Sequence, residues 1–115
     1  MRQNGGSPVQ TGRNMTETRF NDDTVRRRYQ LLRGDEEVGF IDYDPIGSAS
    51  ILIKHTEVRR DLEGQGLGSQ LLEQALAHIR KQGRTVVPIC PYALAYIRRH
   101  PEHHALVQED LRRTL

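Results

Sequence analysis

Gly64, Gly66 and Gly68 alternate through Glu63-Gly64-Gln65-Gly66-Leu67-Gly68-Ser69, immediately ahead of a run with helical periodicity. That placement suits an anion. The first turn of a helix has unpaired amide donors, and the summed peptide dipoles put partial positive charge there. Glycines let the backbone approach a phosphate with no side chain in the way. A tight helix entry uses the same residues, so the spacing alone leaves both readings open. Two common phosphate motifs are excluded: no lysine followed by Ser or Thr marks a P-loop, and the Gly-x-Gly-x-x-Gly spacing is absent.

Other reactive groups lie downstream. Cys90 sits between an apolar strand and Pro91, which places it at the N-cap of the next helix. The positive end of that helix favours a thiolate there, whereas the alternative is an ordinary buried core thiol. Tyr92 and Tyr96 fall on the same helix, where an amphipathic tyrosine can simply cap the core. His55 shares a strand face with Ile51 and Ile53, as a hydrogen-bonded core histidine or as a base of suitable strength. Arg98, Arg99 and His100 end a helix, so they either compensate its dipole or reach a phosphate, Arg99 above all. His100, Glu102, His103 and His104 invite a metal. Pro101 breaks their register and no Cys or Asp completes a familiar spacing, so no metal is expected.

The elements that must position these groups follow from periodicity. Residues 1–19 are rich in Gly, Ser, Asn, Gln and Thr and read as a disordered leader. Alternation predicts strands over 25–32, with Val25, Tyr29 and Leu31 apolar, and over 37–43, with Val38 and Phe40 on one face. These two form a hairpin, and residues 44–47 make the next turn. Residues 48–58 are the longest strand candidate. Leu67, Leu71, Leu72, Ala75, Leu76 and Ile79 then recur at helical spacing, and Gly83 suits the position just past the helix end. Residues 85–89 read as a short buried strand, so strand, helix and strand imply a right-handed parallel crossover. A shorter helix starts at Pro91, and residues 109–115 are expected to fray. The predicted class is α+β: a mixed, mostly antiparallel sheet of four or five strands, a main helix and a shorter C-terminal helix.

Bulk composition narrows the function classes. A chain of 115 residues fits one domain, here residues 20–108. It has no apolar run long enough for a transmembrane helix and no signal-peptide core, so no membrane partner and a cytoplasmic location are expected. One cysteine excludes an internal disulfide framework. Net charge is +2, too small to imply nucleic acid, although 15 of the 17 basic residues are arginine. With two Phe and no Trp, single-strand recognition by base stacking is disfavoured.

The stretch His55-Thr56-Glu57-Val58, Gly64-Gln65-Gly66-Leu67-Gly68-Ser69, Val87-Pro88-Ile89-Cys90-Pro91-Tyr92 and Tyr96-Ile97-Arg98-Arg99-His100-Pro101-Glu102 closely resembles small, single-domain GNAT-type N-acetyltransferase-like proteins. The resemblance covers roughly residues 25–107. It implies a GNAT fold whose central parallel strands splay apart around CoA. It also implies that amides of Gly64, Gln65, Gly66, Gly68 and Ser69 hold the pyrophosphate, and that Glu57 and Val58 pair with the pantetheine arm. The family signature usually begins with Arg or Gln, whereas Glu63 stands here; its carboxylate should point outward, with Arg59 and Arg60 offsetting it. Pro88 supports the splay independently, because proline cannot donate to a strand ladder.

By the same resemblance Cys90 lies beside the acetyl thioester, Tyr96 protonates the departing CoA thiolate, and His55 flanks the cofactor. The implied reaction is acetyl transfer from acetyl-CoA, without metal, to a primary amine, either directly or through acetyl-Cys90. The early helices that wall the acceptor pocket in longer GNAT enzymes have no counterpart, which points to an amine on a macromolecule, such as a protein. The alternative from another class is a non-catalytic CoA-binding or interaction module with the same fold.

Overall fold

Tyr29, Leu31, Ile41, Ile51 and Ile53 are almost wholly buried on one face of a five-stranded sheet, where they meet the apolar stripe of the main helix. The computed structural model describes residues 17–115, so the predicted leader lies almost entirely outside the described residues. The strands are β1 (Arg19–Asp23), β2 (Arg28–Arg33), β3 (Glu36–Ile46), β4 (Ser50–Val58) and β5 (Thr85–Pro88). They lie in sequence order, antiparallel from β1 to β4, with β4 and β5 parallel. Helix α1 (Leu67–Lys81) makes the crossover, and α2 (Pro91–Arg99) follows β5. The α+β class, the mixed sheet and the two helices of unequal length are as expected.

Three details depart from the periodicity. β1 escapes the pattern because its inward positions are Phe20 and Asp22, and the carboxylate breaks the apolar alternation. Asp22 is nevertheless satisfied, accepting from the Tyr43 hydroxyl at 2.6 Å and pairing with His78 at 2.9 Å. Val25 is not a strand residue; it sits 92% exposed in the β1–β2 turn. β3 runs through the turn expected at 44–47, with Asp44, Pro45 and Ile46 opposite Leu52, Ile51 and Ser50. Pro45 is tolerated because β2 ends opposite Asp42, so the side of β3 that would need its missing N–H carries no partner strand. Gly47, at φ 57°, makes the actual turn.

A bulge in β4 matters most for function. Asp42 pairs with His55 and Tyr43 with Ile53, so Lys54 is an extra residue without a partner across the ladder. An extra residue reverses the facing of everything beyond it. His55 therefore leaves the Ile51–Ile53 row for the opposite face, and Thr56 and Val58 take the core side. The expectation that His55 lines up with the two isoleucines is corrected by this single insertion.

α1 buries Leu71, Leu72, Leu76 and Ile79 completely, each contributing about 1.5–3 kcal/mol on transfer from water. At its C-terminus the amide of Gly83, at φ 72°, donates to Arg80, closing the helix as its position predicted. The C-terminal residues 109–115, expected to fray, are folded onto the domain in this structure. Glu109–Thr114 form a 3-10 helix, Leu111 and Leu115 pack on the core, and Arg98 donates to the Thr114 carbonyl at 2.7 Å.

Candidate functional site

The parallel pair separates where Pro88 ends β5. Ile53 and Pro88 are the last pair in register, and the amides of Ile89 and Cys90 both donate to the Ile53 carbonyl at 3.1 Å. Ile89, expected in the strand, turns out to solvent instead. Beyond this point β4 continues alone on its β5 side. Its hydrogen bonds to β3 alternate, and Arg59 donates to Val38 at 2.9 Å. Counting back by twos, Glu57 and His55 face β3, so the peptide groups of Thr56 and Val58 face the gap. The resemblance assigned that edge to Glu57 and Val58; the register moves the first of these to Thr56.

Across the gap lies the glycine segment. Gly64 has φ 88° and Gly66, the N-cap of α1, has φ 78°, conformations open to glycine and strained for other residues. A Cβ at either would meet no atom of the described residues within 4 Å, so the space in front of both is open among them. Among the described residues no side chain caps α1, and no acidic residue occupies its first turn. The first ladder bond is Gln70 N–H to Gly66 at 3.0 Å, which leaves the Leu67, Gly68 and Ser69 amides without a helical acceptor. Gly68 differs from these two glycines, since a Cβ there would collide with the Tyr92 hydroxyl. Glu63 is exposed on the rim. Arg59 does not offset it, being held by Asp61 at 2.6 Å and Glu36 at 3.0 Å.

Between these walls is a cleft of about 480 Å³, whose lining includes Thr56, Glu57, Val58, Leu62, Gly66 and Tyr92. The volume suits an extended ligand of cofactor size. Sequence reading missed Thr56 and Leu62 as lining residues; strand alternation counted through a bulge would have found the first. Cys90 is at the N-cap of α2 as predicted, but it is buried, and its Sγ donates to Thr56 Oγ1 at 3.6 Å. It lies just beneath the cleft's Thr56 wall.

Tyr96 does not reach the cleft. Its hydroxyl donates to Glu73 Oε1 at 2.6 Å, His103 Nε2 meets the same oxygen at 2.8 Å, and His100 stacks on its ring. Burial first, then the Glu73 contact, raises the Tyr96 phenol above its ordinary range. The hydrogen bonds from Tyr96 and His103 hold Glu73 below the usual carboxylate range. Tyr92, on the first turn of α2, is the phenol in the cleft. His55 is exposed on the opposite face of the sheet, 2.9 Å from Glu57 Oε1, so the pair meets the cleft through Glu57. Arg99 is exposed at the far end of α2, about 12 Å along the axis from Pro91, outside the cleft lining. His104 bonds the Ile97 carbonyl and His103 bonds Glu73, so these histidines brace α2 and do not converge on one point.

A sheet opened between its parallel strands, with a bare strand edge facing a glycine-lined helix N-terminus, defines a GNAT-type acyltransferase fold. The chain belongs to the GCN5-related N-acetyl-transferase family, whose model matches residues 28–106. Among solved structures, a GCN5-like protein from Staphylococcus aureus superposes with a TM-score of 0.62 at 20% identity, covering 84% of this chain and 91% of that one. A GNAT family acetyltransferase from Elizabethkingia anophelis, solved with acetyl-CoA bound, gives 0.52 at 16% identity, covering 84% and 69%. The ribosomal-protein-S18-alanine N-acetyltransferase of Escherichia coli gives 0.53 at 21%, covering 63% of this chain. The chain spans about half the length of some relatives: 49% of that enzyme and 45% of Ard1 from Thermoplasma volcanium. Among curated proteins no sequence matches significantly.

Proposed function

We propose that this protein transfers an acetyl group from acetyl-CoA to a primary amine carried by a macromolecule. The observation that carries the reading is the pairing of an uncovered β4 edge, at Thr56 and Val58, with the uncapped glycine entry of α1 across one cleft. The strand edge suits the amides of a pantetheine arm, and the helix entry suits a pyrophosphate.

The faces of the sheet favour one route. Among the described residues α1 and α2 cover the side that holds Cys90, and no helix covers the side that holds His55 and Glu57. An amine arriving there meets the His55–Glu57 pair first. The amine nitrogen attacks the thioester carbonyl, the C–N bond forms as the C–S bond breaks, and the pair accepts the amine proton. Tyr92 is the phenol positioned to protonate the CoA thiolate. The buried position of Cys90 supports direct transfer over an acetyl-Cys90 intermediate. That face, which has no enclosing wall for a small acceptor among the described residues, favours a lysine or N-terminal amine on another polymer.

Incubation with radiolabelled acetyl-CoA and a panel of peptides and small amines, followed by mass spectrometry, tests this. Label on peptide amines supports the reading. CoA binding without transfer to any amine would instead establish a non-catalytic module.

A further inference from the structure

A second cavity, of about 320 Å³, lies at the other end of α1, lined by Asp22, Thr24, Arg27, Tyr29, Tyr43 and Arg84 among others. α1 spans 15 residues, so about 20 Å separates this cavity from the glycine entry.

Its acceptors are already occupied. Asp22 uses one oxygen for the Tyr43 hydroxyl and the other for His78. Asp44, behind Arg27, is shared between Arg27 at 3.3 Å and Lys54 at 3.0 Å. The helix end is closed as well, because the Gly83 and Arg84 amides donate to Arg80 and Ile79.

Its donors are not. Tyr29 is 1% exposed, stacked on Phe20 and on Tyr43, and its hydroxyl has no hydrogen-bond partner among the described residues. Arg84 is half-buried, and no carboxylate among the described residues pairs with its guanidinium.

Backbone strain supplies an independent sign. Arg27 has φ 56°, and among the described residues it is the one non-glycine in the left-handed region. That conformation is strained for an arginine, and glycine at the same place would avoid the strain. Arg27 lines the cavity with its guanidinium 3.3 Å from Asp44.

We propose that this cavity binds a small carboxylate or phosphate anion, gripped by the Arg84 fork and the Tyr29 hydroxyl, with Arg27 closing the opposite side. Thr24 and Gln82 border the same space with further neutral donors. The site is separate from the cleft, so it stands whether or not acetyl transfer is demonstrated.

The test is an amide chemical-shift titration of the full chain with succinate and, separately, with inorganic phosphate, at constant ionic strength. Saturable shifts at Thr24, Gln82 and Arg84 are expected with at least one probe. Arg84→Gln should weaken that binding about tenfold or more, and Tyr29→Phe, which keeps the stacked ring, by about threefold to tenfold. Saturation with succinate alone identifies a carboxylate ligand, and with phosphate alone a phosphorylated one. No saturable shift with either probe, or shifts unchanged by both substitutions, would overturn the proposal.

Discussion

The hydroxyl of Tyr96 donates to Glu73 Oε1 across 2.6 Å and so ties α2 to α1, with His103 completing the contact on the same oxygen. The phenol that the resemblance matched to the proton donor is thus bonded to Glu73, and the phenol in the cleft, Tyr92, is one helical turn earlier.

The two tyrosines should separate cleanly by substitution. Tyr96→Phe removes a charge-assisted hydrogen bond and is expected to lower unfolding free energy by about 1.5–3 kcal/mol. Acetyl-CoA affinity should change little. Tyr92→Phe should leave stability nearly unchanged and reduce kcat about 100-fold if proton delivery limits the rate. Urea melts and steady-state kinetics on both variants check this; equal kcat losses would refute the assignment.

The glycines should differ for a related reason. Gly66→Ala keeps open space around the new Cβ but strains a backbone at φ 78°, so about 1 kcal/mol of stability and several-fold in acetyl-CoA affinity should be lost. Gly68→Ala instead forces Tyr92 out of place and should reduce kcat more than it raises KM. Calorimetric CoA binding alongside kinetics distinguishes the two.

Cys90→Ala is expected to retain most of the turnover, because the thiol lies under Thr56 on the helix-covered face. The stability loss should be roughly 1 kcal/mol, comparable to deleting a small buried group. Collapse of kcat, or an acetylated cysteine trapped in intact-mass spectra, would establish the covalent route.

Acid should loosen the α1–α2 contact. Glu73 is held below the usual carboxylate range in the folded state, so its contribution is fully present above its unfolded value. That contribution is lost as pH falls through the lower folded value. Stability should therefore decline below about pH 4, and Glu73→Gln should flatten that part of the curve. Thermal melts from pH 3 to 7 provide the comparison; parallel curves would count against it.

Local pattern was enough for α1, α2, β2, the crossover to β5, the break at Pro88 and the glycine entry, since each depends on neighbours within a few residues. The apolar stripe from Leu67 to Ile79 dictates a helix, and a proline ends a ladder wherever it falls. β1 escaped because Asp22, an inward carboxylate, is made tolerable by Tyr43 and His78 from distant segments. The facing of His55 escaped because one extra residue, Lys54, reverses the strand beyond it, and a bulge exists only in the pairing of two strands. Tyr92 and Tyr96 are four residues apart on one short helix, and only the packing of α2 against α1 decides which hydroxyl meets Glu73 and which meets the cleft. The sequence by itself thus determined the cleft's two walls, a strand edge and a helix entry, because both are local backbone features. Which side chains enter the cleft was decided by tertiary structure, through strand register and helix contact that no local pattern encodes.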